Sequence, residues 1–271
     1  MSKSLVVAIF MALAFKSSAE ESCSYLCKSI PDANNVLTSW GLAPKKVLNA
    51  ESIKVLVWNL YKERKASFKS EYSNLSKNKD LILLQEQSLE SENLKIFNQS
   101  SRFYWHHATQ FFMKDRIRTG VGTAARVLSL DAEYLRTKIL EPYVKSPKLI
   151  IVSYYLLSDA QRLMVLNIHG MNARGLEGLK SQIDESLALI KRHEGPVLFA
   201  GDFNTKNLER LKYLDSSLEA LGLDRARLPN GASEKSLDHV YTRYLDVQNL
   251  QYINSPGSDH PAITLIIKSQ Y

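Results

Sequence analysis

Pro196-Val197-Leu198-Phe199-Ala200-Gly201-Asp202-Phe203-Asn204-Thr205 opens as an unbroken apolar run and closes on glycine, aspartate, one spacer and asparagine. Such a run suits a strand covered on both faces. A glycine at its end lets the backbone turn tightly. Successive side chains of extended chain point to opposite sides, so Asp202 and Asn204 share one side. The strand end thus offers a carboxylate, able to bind a metal or orient a water, beside an amide that both donates and accepts. A plain turn would use the same residue types, so the meaning of the stretch depends on what the other strand ends carry.

Working outward, Ser52–Trp58 reads as a buried strand that stops at Asn59, and residues 80–85, with Leu81-Ile82-Leu83-Leu84, as a second that stops at Glu86. Leu149–Leu157 and Arg162–Ile168 form a hairpin across Ser158–Gln161 and lead into His169. Further strands are expected over Ser236–Thr242, which holds Asp238, over Asp246–Ile253, and over Ala262–Ile267, just after Ser258-Asp259-His260. Phe103–Phe112 alternates in part and is aromatic, while Thr119–Val127 is rich in small residues. Leu176, Leu179, Ile183, Leu187 and Ile190 recur in steps of three and four, as do Leu208, Leu211, Leu214, Leu218 and Leu221. Each set is the apolar stripe of an amphipathic helix. Lys62–Lys77 is polar and partly helical, and Asp32–Trp40, stopped by Gly41, is expected to be a short helix outside the main fold. Strands outnumber helices, and hairpins mix with helical crossovers, which predicts an α/β (α+β) fold of two packed sheets with helices on their outer faces.

At the N-terminus, Lys3, the apolar run Leu5–Phe15 and the small residues Ser17-Ser18-Ala19 have the form of a secretory signal. The run is too short to span a bilayer comfortably, and no other stretch approaches that length. Cleavage after Ala19 and export to the periplasm or beyond are expected, with a retained signal anchor as the alternative. Residues 20–50 then form an extension, and residues 51–271 the main domain. Cys23 and Cys27 suit a local disulfide in an oxidising compartment. It would staple the N-terminal segment and not the core. Loss of Lys3 and Lys16 with the signal takes the formal charge from +7 to +5. That excess suits polyanions such as nucleic acid or anionic lipid without choosing between them.

Asn59, Glu86, His169, Asp202 with Asn204, and Asp259 with His260 all stand where a buried strand stops or starts, and Asp238 adds a sixth place. Singly, each has an ordinary use as a cap, a turn or a solvated strand end. Together they would make a pocket of carboxylates, amides and imidazoles. In order, Val57-Trp58-Asn59, Leu83-Leu84-Gln85-Glu86, Asn167-Ile168-His169, Gly201-Asp202-Phe203-Asn204, Leu237-Asp238-His239 and Ser258-Asp259-His260-Pro261 resemble the exonuclease–endonuclease–phosphatase superfamily. Its members include DNase I, AP endonucleases, bacterial sphingomyelinases and inositol polyphosphate 5-phosphatases.

The resemblance implies a four-layer αββα sandwich and hydrolysis of phosphate esters with Mg²⁺, Mn²⁺ or Ca²⁺. By analogy Glu86 is the principal metal ligand, Asn59 supports it, and Asp259 sits near the ion and steers His260. Asp202 would orient or deprotonate the attacking water, and Asn204 would hold water and phosphate in register. His169 and His260 would donate to phosphate oxygens, and Asp238 would polarise one of them. Asn172 and Arg174, just after His169, would contact substrate phosphate. The leading expectation is an exported, monomeric nuclease of low sequence specificity, with Lys62, Arg64, Lys65, Lys114, Arg116 and Arg118 as basic flanks for the backbone of a nucleic acid. The alternatives are a sphingomyelinase-like or small-molecule phosphodiesterase, a phosphomonoesterase, or an inactive binding relative. AP endonucleases usually carry an acidic or amide residue and then glycine where this chain has Tyr61 and Lys62, and the hairpin tip Ser158–Gln161 is polar, unlike a membrane-entering tip.

Overall fold

The computed structural model describes residues 29–271, apart from 100, 101, 143, 229, 230, 232, 234 and 235. The signal segment, its cleavage point, Cys23 and Cys27 lie outside the described residues.

In chain order the strands are β1 (Leu37–Gly41), β2 (Ile53–Asn59), β3 (Leu81–Ser88), β4 (Tyr104–Phe112), β5 (Arg118–Ala125), β6 (Asp131–Arg136), β7 (Leu149–Leu156), β8 (Arg162–His169), β9 (Val197–Asp202), β10 (Asp224–Arg225), β11 (Asp238–Arg243), β12 (Leu245–Ile253) and β13 (Ala262–Ser269). The helices are α1 (Phe68–Ser76), α2 (Ser91–Gln99), α3 (Gly175–Arg192) and α4 (Leu208–Glu219). One sheet has seven strands in the order β1-β4-β5-β3-β2-β13-β12, and the other six in the order β10-β11-β9-β8-β7-β6. Neighbours are antiparallel except for two parallel pairs, β2 with β3 and β8 with β9.

Alternation along the strands divides the core into three layers. Val55, Val57, Leu81 and Leu83 of one sheet meet Leu163, Val165, Leu198 and Ala200 of the other in the space between the sheets. Leu56, Trp58, Ile82 and Leu84 point outward and are covered by Phe68 and Tyr72 of α1 and Ile96 and Phe97 of α2. Ile150, Leu166, Ile168 and Phe199 are covered by Leu179, Ile183 and Ile190 of α3 and Leu214 and Leu218 of α4. The outcome is the expected four-layer αββα sandwich. Truncating one of the fully buried leucines would cost about 2–5 kcal/mol.

Three features depart from expectation. Asp32–Trp40 is not a helix: after a single turn at Ala33–Asn35 the chain forms β1, which pairs antiparallel with β4 at the sheet edge. Val36, Leu37 and Trp40 have helix-compatible spacing, but Trp40 stacks on its register partner Trp105 at 5.9 Å between ring centroids. A nonlocal edge therefore overrides the local pattern. Helix α2 and strand β6 also lack a sequence expectation, since both are short and largely polar.

Candidate active site

Because β2 and β3 are parallel, as are β8 and β9, four strands finish at one end of the sandwich. There they bring Asn59, Glu86, His169 and Asp202 to one cleft of about 210 Å³. The antiparallel neighbours β11 and β13 start at this end and deliver Asp238 and the His260 segment. Asn172, Asn204, Asp259 and His260 line the same cleft, together with Tyr61, Lys62 and Lys148.

Asp202 is tied on both carboxylate oxygens. Its Oδ1 accepts the Asn204 backbone N–H at 2.9 Å. Its Oδ2 accepts Asn59 Nδ2 at 3.0 Å and Asn204 Nδ2 at 3.2 Å. Gly201 makes this approach possible: at φ 139° a Cβ would lie 2.2 Å from the Ile168 carbonyl oxygen. Asn204 adopts φ 53°, a left-handed conformation that asparagine tolerates. Its Nδ2 also donates to the Gly170 carbonyl at 3.1 Å, so its amide nitrogen braces the loop and Asp202 together.

Glu86 reaches the cleft through a break in the strand. The pairing of β3 with β5 shifts register between Leu84 and Gln87, and Glu86 sits in the bulge at φ 54°. Bulges beside sites re-aim side chains in this way. The bulge also sends the flanking amides to opposite faces. Gln85 points between the sheets and donates to Asn167 Oδ1 at 2.6 Å, whereas Gln87 lies over Gly122 beside His107, with its Oε1 3.0 Å from Nδ1. A Cβ on Gly122 would meet Gln87 Oε1 at 1.8 Å. Tyr61, Lys62 and Glu63 form a run of positive φ that holds the Lys62 ammonium directly against Glu86 Oε2.

His260 Nδ1 lies 2.8 Å from Asp238 Oδ2. Its backbone carbonyl accepts Trp58 Nε1 at 3.1 Å, and Ser258 Oγ donates to the Asn59 carbonyl at 2.6 Å, fixing the approach to β13. On the opposite wall His169 Nε2 is 2.7 Å from Lys148 Nζ and 3.8 Å from both Glu86 Oε1 and Asp202 Oδ2. Lys148 is only 6% exposed and lies 4.0 Å from Glu141 Oε1. Glu141 in turn accepts the backbone N–H groups of Asn172 and Ala173.

These surroundings set the charges. Burial raises Asp202, and the nearby Asp238 carboxylate adds to the rise, so Asp202 is more basic than an ordinary aspartate. Burial alone would lower His260, but its bond to Asp238 and the charges of Asp238, Asp202 and Asp259 lift it to about 9. Burial pushes Glu86 upward, yet Lys62 and Lys148 outweigh it and hold the carboxylate below its usual range. Burial, helped by Lys148 and Lys62, drives His169 well down, so its imidazole is neutral. Lys148 is lowered by burial and held up by Glu86, Glu141 and Asp202.

Ligand atoms of Asp202, Asp238 and His260 lie within 4.8 Å of one another. His260, however, is spoken for by Asp238 and carries positive charge, which suits a proton donor. Glu86, Asn59 and the exposed Asp259 offer oxygen only, with an ionised glutamate at the centre. That donor set fits a hard divalent cation.

Of the ten residues given a catalytic, metal-holding or phosphate-contacting role in the sequence, all but two line the cleft, whereas of the six basic flanks only Lys62 does. Asp238 acts from behind His260. Arg174 stands apart as the residue before α3, at φ 76°, with its Nε donating to the Leu140 carbonyl at 3.3 Å. The expected donor role of His169 is altered by Lys148. When the lysine donates to Nε2, the ring proton sits on Nδ1, a buried atom without a partner. Lys148 and Glu141 lack any sequence expectation. In the β7–β8 hairpin Ile150 pairs with Ile168, which puts Leu149 opposite His169 and Lys148 one residue further on, close enough for its ammonium to reach Nε2.

Residues 56–260 match the Endonuclease/Exonuclease/phosphatase family. A UPF0294 protein of Vibrio vulnificus (strain CMCP6) is 35% identical over 218 residues, covering 77% of this chain and 74% of the relative. A UPF0294 protein of Klebsiella pneumoniae (strain 342) is 31% identical over 215 residues, covering 78% and 80%. Among solved structures, an endonuclease/exonuclease/phosphatase from Beutenbergia cavernae superposes with a TM-score of 0.64 at 13% identity, covering 81% of this chain and 72% of that one. The human Nocturnin catalytic domain with bound sulfate gives 0.63 at 15% identity, covering 86% and 97%. D. rerio TDP2 complexed with single strand DNA product gives 0.57 at 16%, covering 80% and 99%. The chain belongs to the Endonuclease/Exonuclease/phosphatase family, and its two-sheet sandwich is the DNase I-like fold.

Proposed function

We propose that this family member is an exported, monomeric phosphodiesterase that uses a divalent cation, Mg²⁺ first, to hydrolyse nucleic-acid phosphodiester bonds with little sequence preference. The observation that carries the reading is the meeting of a basic Asp202, a cationic His260 and an ionised Glu86 on the walls of one small cleft.

Glu86, Asn59 and Asp259 would hold the cation, which supplies positive charge at the phosphate as negative charge gathers on its oxygens. Asp202 takes the proton of the attacking water. Asn59 and Asn204 hold its carboxylate in place, and its raised basicity brings it nearer the pH at which a general base works best. Lys148 and Lys62 present ammonium groups to the non-bridging oxygens, and in a site closed to bulk water such groups act strongly on developing charge. His260, oriented and kept protonated by Asp238, donates to the leaving oxygen. Asn172 lines the cleft as a further contact for the phosphate.

Nucleic acid is favoured as substrate because Lys62 and Lys206 line the pockets at this end, and Arg64, Lys65, Lys114 and Arg116 follow β2 and β4 there, whereas Arg118 is engaged by the Asn35 carbonyl and Thr109. D. rerio TDP2, a structural neighbour, is known with a single-stranded DNA product. Export rests on Lys3, the Leu5–Phe15 run and Ser17-Ser18-Ala19. No helix among the described residues is long and apolar enough to cross a membrane.

The test is purified protein on single-stranded DNA, plasmid, RNA, sphingomyelin and bis-p-nitrophenyl phosphate with Mg²⁺. Turnover of nucleic acid that fails with EDTA, returns with Mg²⁺ or Mn²⁺ and weakens steeply with salt is the expected result. Turnover of sphingomyelin alone, or of nothing, would reject it. A mature N-terminus at Glu20 in the exported protein would support the export reading.

A further inference from the structure

Beside the hydrolytic cleft lies a second pocket of about 250 Å³. Lys62, Glu86, Lys148, His169 and Asn172 form a wall common to both. Beyond that wall the pocket is lined by Phe111, Val144, Gln110, Thr119, Ser146 and Glu141. Three of these polar groups are almost completely buried: Gln110 at 4%, Thr119 at 1% and Ser146 at 0% exposure. Gln110 Nε2 donates to Ser146 Oγ at 3.0 Å, but Thr119 Oγ1 has no partner. A buried hydroxyl without a partner is costly. A ligand reaching Thr119 would supply the missing bond.

The charges around the pocket select against one class of occupant. Glu86 is engaged by Lys62, and Glu141 is shared between Lys148 and two backbone N–H groups. Both acids are therefore answered, while Lys206 at the rim has no ion pair among the described residues. A cationic headgroup such as choline would meet three lysines and a single aromatic ring, the reverse of a quaternary-ammonium site. A neutral group rich in hydrogen-bonding atoms fits better, because the buried Phe111 ring and Val144 give an apolar lining while Gln110, Thr119 and Ser146 supply donors and acceptors. The volume is below the usual range for drug-sized ligands, which starts near 300 Å³. It suits one nucleoside and not a stacked base pair.

We propose that this pocket receives a single unpaired nucleoside esterified to the scissile phosphate, so that the enzyme acts on single-stranded or terminal nucleotides and not on continuous duplex. The proposal rests on the phosphodiesterase reading above. It requires a base in duplex to leave its stack before cleavage, which disfavours continuous duplex.

The test uses esters that share one leaving group: thymidine 5′- and 3′-(p-nitrophenyl phosphate), methyl p-nitrophenyl phosphate and p-nitrophenylphosphorylcholine, each with Mg²⁺. At least one thymidine ester should exceed both the methyl and the choline ester in kcat/KM by about tenfold or more, the scale of one to two well-made polar contacts. Val144→Trp, which fills the pocket from a half-buried position, should bring the thymidine-to-methyl ratio close to one, and Thr119→Val should lower it severalfold. Calorimetric titration with thymidine 5′- and 3′-monophosphates should show binding to the wild type that Val144→Trp weakens, with phosphocholine weaker than both. Release of p-nitrophenolate from every ester without preference, preference for choline, or a ratio untouched by Val144→Trp would overturn the pocket assignment alone. Release from none of the esters would instead overturn the phosphodiesterase reading, and in that case nucleoside monophosphate binding lost in Val144→Trp would still uphold the pocket.

Discussion

The cleft has two rims, one from each sheet, and they are made in opposite ways. The rim from the seven-stranded sheet is bent and half open: Glu86 stands in a bulge, three consecutive residues from Tyr61 have positive φ, and Asp259 is exposed. The rim from the six-stranded sheet is sealed: Asp202, Asp238 and His169 are at most 4% exposed. The carboxylate of Asp202 there is held by three bonds from two asparagines. Backbone strain of this sort persists only where the surroundings enforce it, and it gathers at sites. The difference separates two tasks. An open rim with an exchangeable partner on Glu86 suits a group that arrives from solution, while the sealed rim suits a base that must stay in register and, through Asp238, a hold on His260, which stands ahead of β13 on the open side.

The contrast can be broken first by removing the proton-handling groups. Asp202→Ala or His260→Ala should lower kcat by about 10²–10⁴-fold, with circular dichroism unchanged and no recovery at any Mg²⁺ concentration. Near-normal turnover in both would erase the assignment. Next, Glu86→Gln should cut activity by about 10²-fold at fixed Mg²⁺, the scale of losing a single charged group that stabilises the transition state. Excess ion should restore part of it, which separates the open rim from the sealed one. If Glu86→Gln and Asp202→Ala respond alike to added Mg²⁺, the two rims do the same work.

A smaller effect is expected at Lys62, whose ammonium must give way for Glu86 to accept a cation. Lys62→Met should lower the Mg²⁺ concentration needed for half-saturation, by up to about fivefold, the scale of a partly exposed ion pair. An unchanged or higher requirement would show that Lys62 does not compete with the ion. The last effect lies away from the cleft. Burial pushes His107 down to about 3, so it is neutral in the folded chain. The unfolded chain takes up that proton near pH 6.5, so stability is complete above about 6.5 and falls as pH drops toward 3. The slope from this one group is at most about 1.4 kcal/mol per pH unit. Urea melts at pH 7 and pH 5 should differ less in His107→Gln than in the wild type.

The sandwich and its site end were legible because buried strands show apolar runs and the chain marks their ends with polar residues. Asn59, Glu86, His169 and Asp202 were readable as one set for that reason alone. The edge strand β1 was not, since Asp32–Trp40 has helical spacing and only its distant partner Trp105 decides otherwise. Lys62 was legible only as part of a basic flank. Its ion pair depends on a backbone twist that no spacing encodes. Lys148 was not legible: it stands next to Leu149, the residue that the β7–β8 register sets opposite His169, so only the hairpin's pairing brings its ammonium to the imidazole. Arg174 failed for the converse reason: closeness to His169 in the chain is undone by the left-handed turn into α3.

Strand β13, the last of the described strands in chain order, is not at an edge. It lies between β2 and β12, and His260 is set just ahead of it. A growing polypeptide therefore cannot close the seven-stranded sheet, or seat its imidazole, until residues 262–269 have left the ribosome.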